Sequence, residues 1–224
     1  MKNCLLLLAV VAMVAVVAPA YSQTIYLDTN GDGMNSVLEK QNGNNAAPDD
    51  VLGASTTTVD VYFDSNHNPD GSTLLCPQDA AQPYDMFSYE ATVRASGSGS
   101  VTFNGWTDAL GWSIGIITIG DHTFATAGTD AWFGRGTQSS GAVMGRYKVG
   151  TLSVSVTGTP KLDFVTSSTI DPSAQTAFGG HCYAPLFDNT NRLGEQYPTS
   201  NAFGTEAPVP VVPTTWGKIK NLYH

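Results

Sequence analysis

The chain has 224 residues and a net charge of −9, and only 13% of its residues are charged, against roughly 25% in an ordinary globular chain. A charge-poor, acidic chain lacks the basic face that DNA, RNA or an anionic membrane surface requires, so no nucleic-acid partner is expected. Four Glu stand against 15 Asp, with 23 Gly and 12 Pro, a composition that also excludes a helical bundle or coiled coil.

Residues 1–22 read as a secretory signal peptide. Lys2 supplies the positive start, the apolar run from Cys4 to Val17 follows, and small residues lead to Ser22. The run is shorter than the ~20 residues a membrane span needs. The mature chain then starts at Gln23, loses Lys2 and Cys4, and carries a net charge of −10. It is expected to be secreted, extracellular or at the cell surface, with no membrane span, and a bacterial source is the simplest reading.

Residues 23–50 form an N-terminal segment around an acidic loop. After the apolar piece Thr24-Ile25-Tyr26-Leu27, residues Asp28 to Glu39 satisfy D-x-[DN]-x-[DN]-G-x5-E. The spacing suits Ca2+, which takes six to eight oxygens. Asp28, Asn30 and Asp32 offer side-chain oxygens and Gly33 permits the sharp turn. Met34 offers its carbonyl, Ser36 a hydroxyl or a water, and Glu39 both carboxylate oxygens. Two features depart from an EF-hand: the incoming segment looks extended, and position eight is Asn35 where an aliphatic residue usually pairs with a second loop. The loop therefore resembles the calcium loops of dockerin modules and thrombospondin type 3 repeats.

Residues 51–206 read as one β-sandwich domain. The strand candidates are Thr56–Phe63, Phe87–Arg94, Ser100–Trp106, Trp112–Ile119, Ala131–Gly134, Ala142–Tyr147, Gly150–Val156 and Lys161–Val165. Alternation places Val59, Val61, Phe63, Leu152, Val154 and Val156 in a core, and Asp60, Ser153 and Ser155 in water. Such one-sided strands belong to antiparallel sheets. The stretches Gly97-Ser98-Gly99 and Gly158-Thr159-Pro160 read as turns between strands. The loop Asp64–Gly71 reads as a hairpin connection, with a cation loop as the weaker alternative. Helix is scarce; Ser36–Gln41 has room for a turn or two.

Cys76 and Cys182 are the two cysteines of the mature chain, and an even count in an exported protein suggests a disulfide. Trp106 lies in phase with Thr102 and Asn104, on the expected polar face, so it is either a sugar-stacking platform or covered by a later segment. Trp132, beside Phe133, reads either way, and Trp112 reads as core. Residues 207–224 form a Pro-rich, extended linker and a short aromatic-basic tail.

Thr57–Phe63, Phe87–Arg94 and Lys148–Val156 together resemble strands of cohesin and carbohydrate-binding-module sandwiches of the jelly-roll type. That resemblance implies an all-β antiparallel sandwich that works by binding a polysaccharide or a cell-surface protein. Trp106 and Trp132 are then the ligand-binding candidates. An extracellular structural or assembly subunit is the alternative. A secreted glycoside-active enzyme is weaker, because no G-x-S-x-G or H-E-x-x-H motif occurs and no carboxylate pair is selected by spacing; no catalytic residue is assigned.

Overall fold

The computed structural model describes residues 24–36, 39, 49–67, 73, 85–114, 124–138, 141–165, 169–170, 176–180 and 202–206. The signal peptide, Cys76, Cys182 and the linker and tail at 207–224 lie outside these residues.

The described chain is all-β, built from β1 (Thr24–Asp28), β2 (Thr58–Asp64), β3 (Asp85–Met86), β4 (Ser88–Asp108), β5 (Phe124–Ala127), β6 (Asp130–Gly136), β7 (Val143–Met144), β8 (Arg146–Phe164), β9 (Ala177–Gly179) and β10 (Ala202–Phe203). Most of them form one sheet in the order β10-β1-β2-β8-β4-β6-β5, with β9 also on β4, while β3 and β7 pair separately. All pairings are antiparallel except β1 with β10. The sheet curls into a sandwich-like body around one core, as the alternation demands.

Val59, Val61, Phe63, Leu152, Val154 and Val156 all lie in that core, and Ser153 and Ser155 are exposed. Each such side chain, fully buried, contributes about 1.5–3 kcal/mol. Asp60 is half-buried because Lys148 Nζ, 2.6 Å away, and the Thr151 hydroxyl, 2.8 Å away, both donate to its carboxylate.

The two Gly-rich stretches are not chain reversals. Phe87–Arg94 and Ser100–Trp106 belong to the single 21-residue strand β4, and Gly150–Val156 and Lys161–Val165 to the 19-residue β8. Gly99 faces Gly158 across this pair, with φ of 133° and 70°. A Cβ on Gly99 would sit 2.0 Å from the Thr157 carbonyl oxygen, and one on Gly158 2.6 Å from that of Ser98. The paired glycines let both strands bend together without breaking the ladder, as happens where strands turn a sheet corner. One half of β4 then pairs with β6, and the other with β8 alone.

Strand β5 has no counterpart among the sequence candidates. It joins β6 through Gly128-Thr129, a tight turn with Gly128 at φ 58°. Of the segment Trp112–Ile119, the described part holds Trp112 in the core and a bridge from Ile114 to Gly136.

Candidate functional site

The acidic loop leaves β1 at Asp28 and lies against the outer face of β1 and β2. There Tyr26 stacks on Tyr62, with centroids 5.2 Å apart and planes 4° apart, and Phe203 closes the cluster. The Tyr26 hydroxyl donates to the Gly33 carbonyl at 2.8 Å, pinning the loop over the rings. Burial pushes the hydroxyls of Tyr26 and Tyr62 above the ordinary tyrosine value.

Asp28, Asn30 and Asp32 turn back on the backbone of the loop. Asp28 Oδ1 accepts the amides of Asn30 and Gly31 at 3.0 and 2.7 Å, and its Oδ2 accepts that of Gly33 at 2.8 Å. Asn30 Oδ1 accepts the Asp32 amide at 2.9 Å, and Asp32 Oδ1 accepts the Met34 amide at 2.8 Å. Gly33 reaches φ 80°, the left-handed turn the motif anticipates. These successive Asx turns fold the side chains of positions 28, 30 and 32 back onto the loop, and the Asn30 amide group donates to Asp32 Oδ2 at 3.3 Å.

A carboxylate or amide oxygen has two lone pairs. Asp28 Oδ2, Asn30 Oδ1 and Asp32 Oδ1 each spend one on the backbone and keep one. The donor chemistry of this part of the loop therefore fits a hard, oxygen-seeking cation. Among the described residues no three His, Cys, Asp or Glu side chains gather as a metal-binding group. Asp28 and Asp32 are the acids here, and the third donor is the Asn30 amide. Further on, Met34 Sδ lies 3.0 Å from Arg146 Nη1, the Ser36 hydroxyl donates to Glu206 Oε2 at 2.6 Å, and Glu39 is half-buried, its amide bonded to the Asn35 carbonyl.

Three residues that the sequence reading did not assign hold this loop. Asp50, fully buried, accepts the amide of Thr29 on Oδ1 and that of Ser36 on Oδ2, each at 2.8 Å. Burial pushes its carboxyl up to about 6, partly offset by those two amides. The Asn35 amide group donates to the Leu27 carbonyl at 2.6 Å and the Gly204 carbonyl at 3.2 Å. Glu206 accepts the Ser36 hydroxyl and donates its own amide to the Asp50 carbonyl at 2.8 Å. Asp50 lies beyond the end of the motif and Glu206 far along the chain, so the motif's spacing carries no signal for either.

Of the tryptophans, Trp106 takes another place than its strand phase led one to expect, whereas Trp112 is in the core as expected. Asn104 is an extra residue in β4: the register passes from Phe103 opposite Val154 to Gly105 opposite Ser153. This bulge reverses the phase of the strand. Trp106 thereby falls opposite Leu152 and faces the core instead of sharing the polar face of Thr102 and Asn104. Its ring stacks on Phe133 at 4.2 Å and 19°, and Gly150 leaves the space for its edge. Trp132 does lie on the outer side of β6, yet it is 1% exposed, packed with Ala125 and Ile170. With one face of Trp106 covered and Trp132 enclosed, these rings do not form an exposed aromatic strip.

The loop after β2 is closed by His67 bridging to Thr73. The Asp64 carboxylate is engaged by His67 Nδ1 at 2.9 Å and by Arg146 Nε at 3.5 Å.

Fold and site together define an all-β, sandwich-like protein with one backbone-organised acidic loop on its outer face. Comparison with known proteins finds no protein family, no curated protein and no solved structure that the chain matches. Among the described residues no helix is long and apolar enough to cross a membrane.

Proposed function

We propose that the chain is a secreted binding module, a β-sandwich of cohesin or carbohydrate-binding type stabilised by calcium at the loop Asp28–Glu39. The observation that carries this reading is that Asp28, Asn30 and Asp32 fold back onto one short loop, each with an oxygen lone pair left over. Calcium would supply charge neutralisation beside Asp28, whose charge already acts on the buried Asp50. Asp28, Asn30 and Asp32 would hold it from one side, and Met34, Ser36 and Glu39 are the further donors of the motif.

The ligand class we propose is a neutral polysaccharide or an uncharged cell-surface partner. Support comes from the outer face of β2, β8 and β4, where Thr58, Ser100, Thr102, Asn104, Ser153, Ser155 and Thr157 are exposed and uncharged, and the charges flanking them, Asp60 with Lys148 and Lys161 with Asp163, are paired with each other. Cross-strand bonds already order this face, Ser100 to Thr157 at 2.7 Å and Asn104 to Ser155 at 2.9 Å. Preordered hydroxyl and amide groups lose little freedom when they meet a sugar polymer. A glycan array probed with the mature protein in millimolar calcium tests the ligand class. Retention on neutral glycans is expected. Binding to no glycan, with capture by an intact cell surface instead, would favour the assembly-subunit reading, and turnover in a hydrolase screen would overturn a pure binding role.

A further inference from the structure

The ladder between β4 and β6 ends at Arg94, opposite Asp130. Beyond that point β8 alone pairs with β4, out to Asp108. In an antiparallel pair the backbone groups of alternate residues turn to opposite edges. The Thr92 carbonyl accepts the Val165 amide on the β8 side, and the Ala95 amide donates to the Thr129 carbonyl on the other. By that alternation Gly97, Gly99, Val101 and Phe103 turn their amides and carbonyls away from β8, and among the described residues no strand meets them. The bulge at Asn104 ends this free edge, which is about 20 Å long.

The other edge of the same ribbon is guarded. The Val154 amide donates to the Thr57 carbonyl, and Leu162 is bonded through its amide and its carbonyl to Thr205. Between them Pro160 has no amide to offer, and Lys161 follows it. Proline and lysine are what native sheets place on an edge that must stay unpaired. The β4 edge has neither: residues 95–107 contain no charge and no proline.

We infer that this edge pairs with the same edge of a second copy of the chain, antiparallel, about a two-fold axis perpendicular to the sheet. Such a contact is self-complementary and closes on itself. The register that uses all four outward residues sets Gly97 against Phe103 of the second copy, and Gly99 against Val101. Phe103 is half-buried and packs on the core face together with Val101. Each of these apolar side chains then covers a glycine that has none of its own, the way a cross-strand ring fills in for an edge glycine. This fit favours a second copy over an unrelated strand. The uncharged edge also lets an acidic chain of net charge −9 approach itself without setting like charges face to face. Ser100 lies opposite its own counterpart, and the exposed hydroxyl faces of the two copies join on one side of a continuous sheet. The pairing rests on the edge itself and goes beyond the binding and calcium readings, neither of which it needs.

Sedimentation equilibrium of the mature protein over a concentration series tests this, with hydrogen exchange read at the same concentrations. A monomer–dimer equilibrium is expected, and the amides of Val101 and Phe103 should exchange several-fold more slowly in the dimer than in the monomer. Ser100→Glu sets two carboxylates directly opposite each other and should weaken the dimer about 5-fold or more. Thr157→Glu is the control. It adds the same charge and breaks the same Ser100–Thr157 bond of 2.7 Å, but it sits one strand in from the edge, so its dimer should stay close to wild type in affinity. A monomer at every concentration would overturn the inference. So would a dimer in which exchange at 101 and 103 is unaltered, or one that the two variants weaken equally.

Discussion

Asp130 shows how a buried charge is kept in this fold. It is fully buried and sits opposite Arg94 on the neighbouring strand, whose Nε and Nη2 bond its two oxygens at 2.7 and 2.8 Å. The Thr169 amide adds a bond at 2.8 Å. The Arg94 pairing, with the Thr169 bonds, holds the Asp130 carboxyl down at about 2 against the resistance of burial. A carboxyl lowered on folding stabilises the fold above its unfolded value near 3.8, and that stabilisation is lost as pH falls through about 2. The gap corresponds to about 2 kcal/mol. Arg94→Met leaves the carboxylate buried and unpaired, and is expected to cost about 3 kcal/mol at neutral pH. Urea unfolding of the two proteins checks this: their stability difference should narrow toward pH 3, where the orphaned Asp130 takes up a proton. A difference independent of pH would refute the assignment. Asp50 is the second residue-scale case. Asp50→Ala strands the amides of Thr29 and Ser36 and should cost about 1–3 kcal/mol by the same measurement, while Asp50→Asn, which keeps one acceptor, should cost less.

At the scale of elements, the alternation of apolar and polar residues was enough to read the cores of β2 and β8, because each side chain's face follows from its own short neighbourhood. What defeated that reading was any device that breaks the period. The bulge at Asn104 moves Trp106 from the expected polar face to the core, and a single extra residue leaves no mark in composition. Glycines at 97, 99 and 158 signal a departure from ordinary strand geometry, but the same residues serve a turn or a bend. Only the partner strand, which places Gly99 against Gly158, decides between them. This gives a prediction at the same scale. Gly99→Ala and Gly158→Ala push a methyl group against carbonyl oxygens and force positive φ on a side chain, so each should lose more than ~2 kcal/mol in thermal or urea unfolding. Gly105→Ala is the control, since a Cβ there meets nothing within 4 Å. It should be neutral or slightly stabilising, and equal losses at all three positions would contradict the paired-bend account.

Across the whole molecule, the acidic loop was legible as a motif because its donors lie within a dozen residues. Its supports were not, since Asp50 and Glu206 reach it through the fold. The sequence reading put Trp132 beyond decision for a similar reason: the Ile170 side chain that covers it belongs to a later segment. The expected Cys76–Cys182 disulfide would tie the chain together at the same scale. Thiol titration of the native exported protein should find neither cysteine free, and reduction should lower stability by up to ~4–5 kcal/mol for so long a loop. Two reactive thiols in the folded protein would remove that cross-link from the account.

The central claim is that calcium stabilises this sandwich through the loop Asp28–Glu39, and thermal unfolding of the mature protein across a calcium titration, paired with calorimetry, tests it most directly. Extracellular calcium modules bind with Kd of ~10⁻⁴–10⁻³ M. At millimolar calcium, mass action then gives about 0.4–1.4 kcal/mol, a rise in Tm of roughly 1–5 °C for a domain of this size. The rise should reverse on adding a chelator and vanish in Asp28→Ala. An unchanged melting curve from chelator to excess calcium, with no heat of binding, would contradict the account and leave the loop as a turn organised by its own backbone.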